Sequence, residues 1–188
     1  MADEKDTIEF SIESSAFLIA AASLFILPLR WIIGWLTVCF VHELFHLAAL
    51  KLCRAQIWQI RVGPKGVQIV TDELMPMQEA CCSIAGPLGS GLCVFLSRLF
   101  PEAAVCAFIQ GAFNLLPLYP LDGGRCVKSL LSFLIGSESA DRVIRILHLV
   151  VIIALLLAAM YVSIRRSVGI LPILIAAMIV YKTKKSLH

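Results

Sequence analysis

The sequence predicts an all-α polytopic membrane protein with six transmembrane helices and a short membrane-associated β-hairpin between the second and the third. The 188 residues are 60% hydrophobic and only 15% charged, whereas a soluble domain carries about 25% charged residues. Six stretches nearly free of charge approach the roughly 20 residues of a membrane helix. One connection between them alternates in hydrophobicity, as a strand does. This composition excludes a compact soluble enzyme, a disordered chain and a secreted disulfide scaffold.

The distribution of basic residues predicts the orientation of the spans. The predicted spans are residues 14–29, 31–50, 80–97, 103–121, 146–164 and 167–181. Of the 16 Lys and Arg residues, about three quarters fall on the side of the two termini. Because basic residues stay on the cytoplasmic side of a membrane, we expect both termini to be cytoplasmic.

The connection between the second and third spans has the pattern of a β-hairpin. Trp58 and Ile60 alternate with polar residues before a Gly-Pro-Lys-Gly turn at 63–66, and Val67 and Ile69 do so after it. An isolated hairpin is barely stable in water, so we expect it to pack against helices or to pair with an incoming strand. An ordinary surface loop is the alternative.

The second span contains His42 and His46 in the sequence HELFH. Residues four apart lie on one face of a helix, so both imidazoles can reach one metal ion with Glu43 beside them. This is the spacing of zinc hydrolases, in which the Glu is the general base. Such groups are costly in an apolar span unless they are paired or bind a metal. A buried polar cluster satisfied by neighbouring helices is the alternative.

Asp122 is the predicted third ligand, because a catalytic zinc takes three protein ligands. It follows the segment 114–121, in which Pro117 and Pro120 interrupt the helix. The glycines at 123–124 are expected to free the backbone after it. Irregular backbone at membrane depth lies within protein or lines a wet cavity, as an active site requires. A carboxylate that caps a loop near the membrane surface is the alternative.

These motifs resemble the paired HExxH and NxxPxxxxDG motifs of site-2 proteases, the zinc intramembrane metalloproteases of peptidase family M50. The resemblance covers about residues 31–125, and AGPLGS at 85–90 resembles the Gly-Pro element between the two motifs. Ser90 stands where the family often has Asn, and Phe45 where a small residue is common. The segment from Asn114 to Arg125 is most similar to the sporulation-type branch, which processes a membrane-tethered sigma-factor precursor.

The resemblance implies a metalloendopeptidase that cuts a peptide bond in or near the transmembrane segment of its substrate. One Zn²⁺ is then held by His42, His46 and Asp122, with Glu43 as general base. Asn114 donates a hydrogen bond to the substrate or to the developing oxyanion, or it satisfies the backbone broken by proline. The hairpin pairs with an unwound substrate strand, and its predicted substrate-binding residues are Trp58, Ile60, Val67 and Ile69.

We expect one domain over residues 1–188, with a catalytic core at 31–125 and no PDZ or CBS domain. The expected partners are the lipid bilayer, a single-span membrane protein substrate and a regulatory membrane partner, and the resemblance implies a bacterial cell membrane. A net charge of +3 without a basic stripe argues against nucleic acid. Two alternatives are a metal-binding membrane transporter and an inactive relative that binds membrane proteins.

Overall fold

A computed structural model describes residues 9–63, 66–95, 98 and 100–166. These residues form two compact units, the first ending at Phe113 and the second beginning at Asn114. The elements along the chain up to the boundary are β1 (Glu9–Ile12), α1 (Ser14–Ile26), α2 (Leu29–Leu52), β2 (Ile57–Gly63), β3 (Gly66–Thr71), α3 (Pro76–Phe95) and α4 (Pro101–Asn114). Beyond a loop at 115–121, the second unit contains α5 (Asp122–Ile135) and α6 (Ser137–Arg166).

The predicted hairpin is confirmed, and the sheet contains a third strand. Strands β2 and β3 are antiparallel, and Ile60 lies opposite Ile69. Strand β1 pairs in parallel with β2, which gives the order β1-β2-β3. The chain's own N-terminal strand therefore occupies one edge of the hairpin, and the other edge belongs to β3. Trp58 departs from the predicted alternation, because the register shifts between Ile57 and Gln59 and leaves its side chain exposed.

Five helices overlap predicted spans, but the count of six is not confirmed. Within the described residues, α2 and Ser137–Arg165 of α6 are long and apolar enough to cross a membrane. Helices α1 and α4 have 13 and 14 residues, fewer than the roughly 20 that a span needs. Helix α4 ends seven residues earlier than predicted because the proline-containing segment follows it. The sixth predicted span lies outside the described residues.

Helix α5 lies between Asp122 and the fifth predicted span, in a stretch to which the sequence analysis assigned no helix. Arg125 and Lys128 exclude this segment from a search for uncharged stretches. Its apolar residues nevertheless recur at 127, 130, 131 and 134, the spacing of one helix face. The search for charge-free runs therefore overlooked an amphipathic helix that this periodicity indicates.

Small side chains allow the helices of the first unit to pack closely. Val38 of α2 packs with Cys93 of α3 and with Ala103 and Ala107 of α4 in one buried cluster. A Cβ atom on Gly34 would lie 3.0 Å from the Ala103 nitrogen, so α2 and α4 meet nearly backbone to backbone. Close contact through small residues is typical of membrane helices, where lipid is as apolar as the side chains.

Many large apolar side chains point outward from the helices. Phe25 is 92% exposed and Phe95 is 89% exposed. Water would disfavour such surfaces on a monomer, whereas the hydrocarbon of a bilayer solvates them. The exposed surface therefore agrees with the composition in favouring a lipid environment.

In the second unit, the segment 115–121 folds back onto the first turn of α5. Leu118 is fully buried. A Cβ atom would lie 2.6 Å from the Leu116 carbonyl oxygen if built on Gly123, and 2.6 Å from that of Leu118 if built on Gly124. Neither glycine has a positive φ, so the expectation that they free the backbone is wrong. They are needed because the preceding loop leaves no room for a side chain.

Replacing Gly123 with Ala is expected to lower the free energy of unfolding by about 1–3 kcal/mol, because overpacking a tight contact has an effect of that size. Gly91→Ala is the matched control, since Gly91 is also helical and a Cβ there meets no atom within 4 Å. Reversible unfolding by SDS in mixed micelles, followed by circular dichroism, measures both variants. Equal stabilities would contradict the close contact.

Candidate metal centre

The two histidines of α2 bring their outer ring nitrogens together. His42 and His46 lie one turn apart, and their Nε2 atoms are 3.2 Å from each other. The rings are nearly perpendicular, with an interplanar angle of 81°. His42 is only 3% exposed, and His46 is half-buried. At a rise of about 1.5 Å per residue, the pair lies roughly 9–15 Å from the end of α2 at Leu52, inside the apolar helix.

Helix α3 holds both imidazoles by their inner nitrogens. His46 Nδ1 donates to the backbone carbonyl oxygen of Cys82 at 2.8 Å, and His42 Nδ1 lies 3.0 Å from Ser90 Oγ. A carbonyl oxygen only accepts, so the proton of neutral His46 is on Nδ1 and its Nε2 carries a lone pair. His42 has the same tautomer when it donates to the Ser90 hydroxyl. Such contacts orient metal-binding histidines in proteins.

The glycines of AGPLGS allow α3 to approach the histidines. A Cβ atom on Gly86 would lie 2.7 Å from His42 Nε2 and still closer to His46 Nε2. A Cβ atom on Gly89 would lie 2.8 Å from the ring of Phe45. The Gly-Pro element therefore has a steric role, because any larger residue at 86 would occupy the space in which the two imidazoles meet. Phe45 fits its position because Gly89 faces it.

The three predicted ligands lie on two units of the chain. His42 and His46 belong to α2, and Asp122 is the first residue of α5. Two imidazole nitrogens and a carboxylate oxygen suit zinc. Two nitrogens that bind zinc tetrahedrally at about 2.05 Å are about 3.3 Å apart, close to the separation of the Nε2 atoms. The donor set therefore fits zinc.

The other predicted site residues lie on different elements. Glu43 follows His42 on α2 and is half-buried. Asn114 is the last residue of α4 and is also half-buried. The half-buried Ile60 and Ile69 face each other in the sheet, as do Val62 and Val67, whereas Trp58 donates from Nε1 to Asp72 Oδ1 at 2.7 Å.

Two supporting groups were not predicted from the sequence. Ser90 appeared there only as a departure from a family pattern, although a polar residue four positions after Gly86 lies on the same helix face. The role of the Cys82 carbonyl cannot be predicted from the sequence, because every residue has a backbone carbonyl. Only the packing of α3 on α2 identifies it.

Comparisons with known proteins agree with this fold and donor set. The family model described as peptidase family M50 matches residues 83–158. A zinc metalloprotease of Methanocaldococcus jannaschii is 29% identical, over 49% of this chain and 31% of its own length. This chain thus spans about a third of that relative. The solved structure of a site-2 protease from the same organism superposes with a TM-score of 0.67 at 20% identity, covering 100% of this chain and 94% of that one.

The structural match shows that the chain has the site-2 protease fold. The family model, the curated relative and the structural match agree with one another, and the chain is similar to all three.

Replacing Ser90 with Ala is expected to weaken zinc binding about ten-fold, because His42 loses the partner that orients its ring. Ser83→Ala is the matched control. Ser83 is 1% exposed on the same helix, and its hydroxyl makes no hydrogen bond within the described part of the chain. Competition with a chromogenic chelator measures both affinities. An equal loss in the two variants would show that the Ser90 hydroxyl has no particular role.

Proposed function

We propose that this protein is an intramembrane zinc metalloprotease that hydrolyses a peptide bond in or near the transmembrane segment of a membrane-tethered protein. One observation carries the proposal: the two Nε2 atoms lie 3.2 Å apart while a carbonyl oxygen and a hydroxyl contact the two Nδ1 atoms. Because the Nδ1 atoms are occupied, the Nε2 lone pairs of both imidazoles are oriented to bind one metal ion. The curated relative, a zinc metalloprotease, supports zinc as the metal.

The chain's own residues divide the chemistry between them. His42, His46 and Asp122 would hold the zinc ion, which when bound would polarise the scissile carbonyl and lower the pKa of a water molecule. Glu43 accepts the proton of the attacking water and returns it to the leaving amine. Asn114 donates a hydrogen bond to the substrate backbone next to the scissile bond.

The two glycines of α3 also limit the space for water next to the histidines. Because Gly86 and Gly89 let α3 lie directly on the histidines, little space remains on that side for water. A water-poor setting strengthens the electrostatic interactions of the site. Helices of the substrate must unwind before cleavage, because their amides are otherwise hydrogen-bonded internally.

The sheet offers replacement hydrogen bonds to such an unwound segment. Since β1 occupies the outer edge of β2, we assign substrate pairing to the edge of β3, with Val67 and Ile69 beside the substrate. Ile60 and Trp58 of β2 then contact substrate side chains rather than its backbone.

The biological setting follows from the motifs and the basic residues. The similarity of Asn114–Arg125 to the sporulation-type branch supports a membrane-tethered sigma-factor precursor as the substrate, in a bacterial cell membrane. The excess of Lys and Arg supports cytoplasmic termini. A regulatory membrane partner would control access of the substrate to the site.

Replacing Glu43 with Gln is expected to reduce cleavage by about 10²–10⁴-fold, the usual contribution of a general base, while zinc content is unchanged. The protein is co-expressed with single-span substrates that include a tethered sigma-factor precursor, and cleavage sites are mapped by mass spectrometry. Asp122→Asn, by contrast, is expected to lose zinc as well as activity. Unchanged function of Glu43→Gln would favour a transporter or a binding protein instead.

Replacing Ile69 with Pro is expected to lower cleavage about five- to ten-fold, because one main-chain hydrogen bond to the substrate contributes about 1 kcal/mol. Ile69→Val keeps the backbone donor and serves as the control. Zinc affinity, measured on both variants, separates a local effect from unfolding. If Ile69→Pro cleaves as well as Ile69→Val, strand pairing at β3 is not used.

A further inference from the structure

The thiols of Cys53 and Cys82 lie in contact with each other. Cys82 of α3 donates toward Cys53, and the two Sγ atoms are 3.8 Å apart. Cys82 is 4% exposed, whereas Cys53 is half-buried. Neither thiol has a role in the proposed hydrolysis.

Cys53 lies where α2 ends, and its position is well defined. The Arg54 amide donates to the Lys51 carbonyl at 3.0 Å, and the Ala55 amide donates to the Leu50 carbonyl at 3.0 Å. Arg54 has a positive φ of 56°. This pattern closes a helix with a left-handed residue, and it holds Cys53 next to α3 at the end of a membrane helix, where small water-soluble oxidants can reach it.

The Cys82 backbone links this pair to the candidate metal centre. Its carbonyl oxygen accepts the hydrogen bond from His46 Nδ1 at 2.8 Å. A disulfide requires the sulfurs to approach from 3.8 Å to about 2.05 Å. This approach combines rotation of the two side chains with movement of the Cys82 segment of α3 toward the α2 terminus. Any such movement changes the angle at which the carbonyl holds the His46 ring.

Four of the other five cysteines have different surroundings. Cys39 donates to Gln110 Oε1, and Cys93 and Cys106 belong to the buried apolar cluster. Cys81, next to Cys82 in the chain, is exposed. Cys81 therefore provides a matched control with the same sequence neighbourhood but a different orientation.

We propose that Cys53 and Cys82 are a disulfide-forming modification site through which a peroxide weakens metal binding at His46. The more exposed Cys53 attacks hydrogen peroxide as the thiolate, forms a sulfenic acid and releases hydroxide. The Cys82 sulfur then displaces hydroxide from that sulfur, and the S–S bond forms. In sum, two thiols and one peroxide give one disulfide and two water molecules. Reduction by a dithiol restores both cysteines.

A reversible disulfide between Cys53 and Cys82 agrees with the predicted cytoplasmic side of this end of α2, because the cytoplasm is reducing. Stable disulfides are rare in reducing compartments, and those that form there are usually regulatory or catalytic. The consequence for proteolysis rests on the proposed function, but formation of the bond and its effect on zinc do not.

To test this proposal, the purified protein in micelles is treated with hydrogen peroxide, and its free thiols, linked peptides and zinc affinity are measured. Wild type is expected to lose two of its seven cysteine thiols, to yield a Cys53–Cys82 linked peptide by mass spectrometry, and to bind zinc about ten-fold more weakly. Dithiothreitol is expected to reverse all three changes. Cys81→Ser is expected to respond like wild type, and Cys53→Ser to form no linked peptide and to keep its zinc affinity under peroxide.

Cys53→Ala is a second variant in case the serine disturbs the helix end. The proposal is overturned if peroxide yields no linked peptide in wild type, or if the peptide forms and zinc affinity stays constant. It is also overturned if Cys53→Ser and Cys53→Ala lose zinc affinity under peroxide as wild type does. A failed cleavage assay with an intact peroxide response would instead contradict the proposed function alone.

Discussion

The contact between α2 and α3 at the two imidazoles is the constraint on which the rest of the first unit depends. His42 and His46 can direct their Nε2 atoms to one point only because Ser90 and the Cys82 carbonyl hold the other ring nitrogens. Those partners reach the rings only because Gly86 carries no side chain. A polar pair in an apolar helix is disfavoured unless its groups are paired, so stability and metal binding require the same close packing.

The same contact connects the site with the end of α2. One face of α3 contacts His42 through Ser90, His46 through the Cys82 carbonyl and Cys53 through the Cys82 thiol. The thiol that contacts Cys53 and the carbonyl that accepts from His46 belong to one residue, so a displacement of the Cys82 segment reaches His46 directly. Under the proposed disulfide, chemistry at the end of α2 would therefore alter the orientation of the His46 ring without any chemical change at His46 itself.

The order of the strands decides which edges of the sheet are covered. Strand β2 lies between β1 and β3, so the hairpin presents one of its edges and the N-terminal strand closes the other. Strand edges pair readily with any available extended chain. Because β1 covers β2, the edge strands of the described sheet are β1 and β3.

The lipid setting, the hairpin and the candidate ligands could be predicted from the sequence, because composition, period-two alternation and the i, i+4 spacing of His42 and His46 are local properties. The number of membrane crossings could not be counted from charge-free runs, since α4 stops at Asn114 and α5 is charged yet helical. Three other features became visible only in the folded chain: β1 joins the sheet, Gly123 and Gly124 allow close packing, and the Cys82 carbonyl accepts a hydrogen bond from His46. Each of these depends on which distant backbone lies nearby, and a backbone carbonyl or a missing Cβ has no signature of its own in the order of the residues.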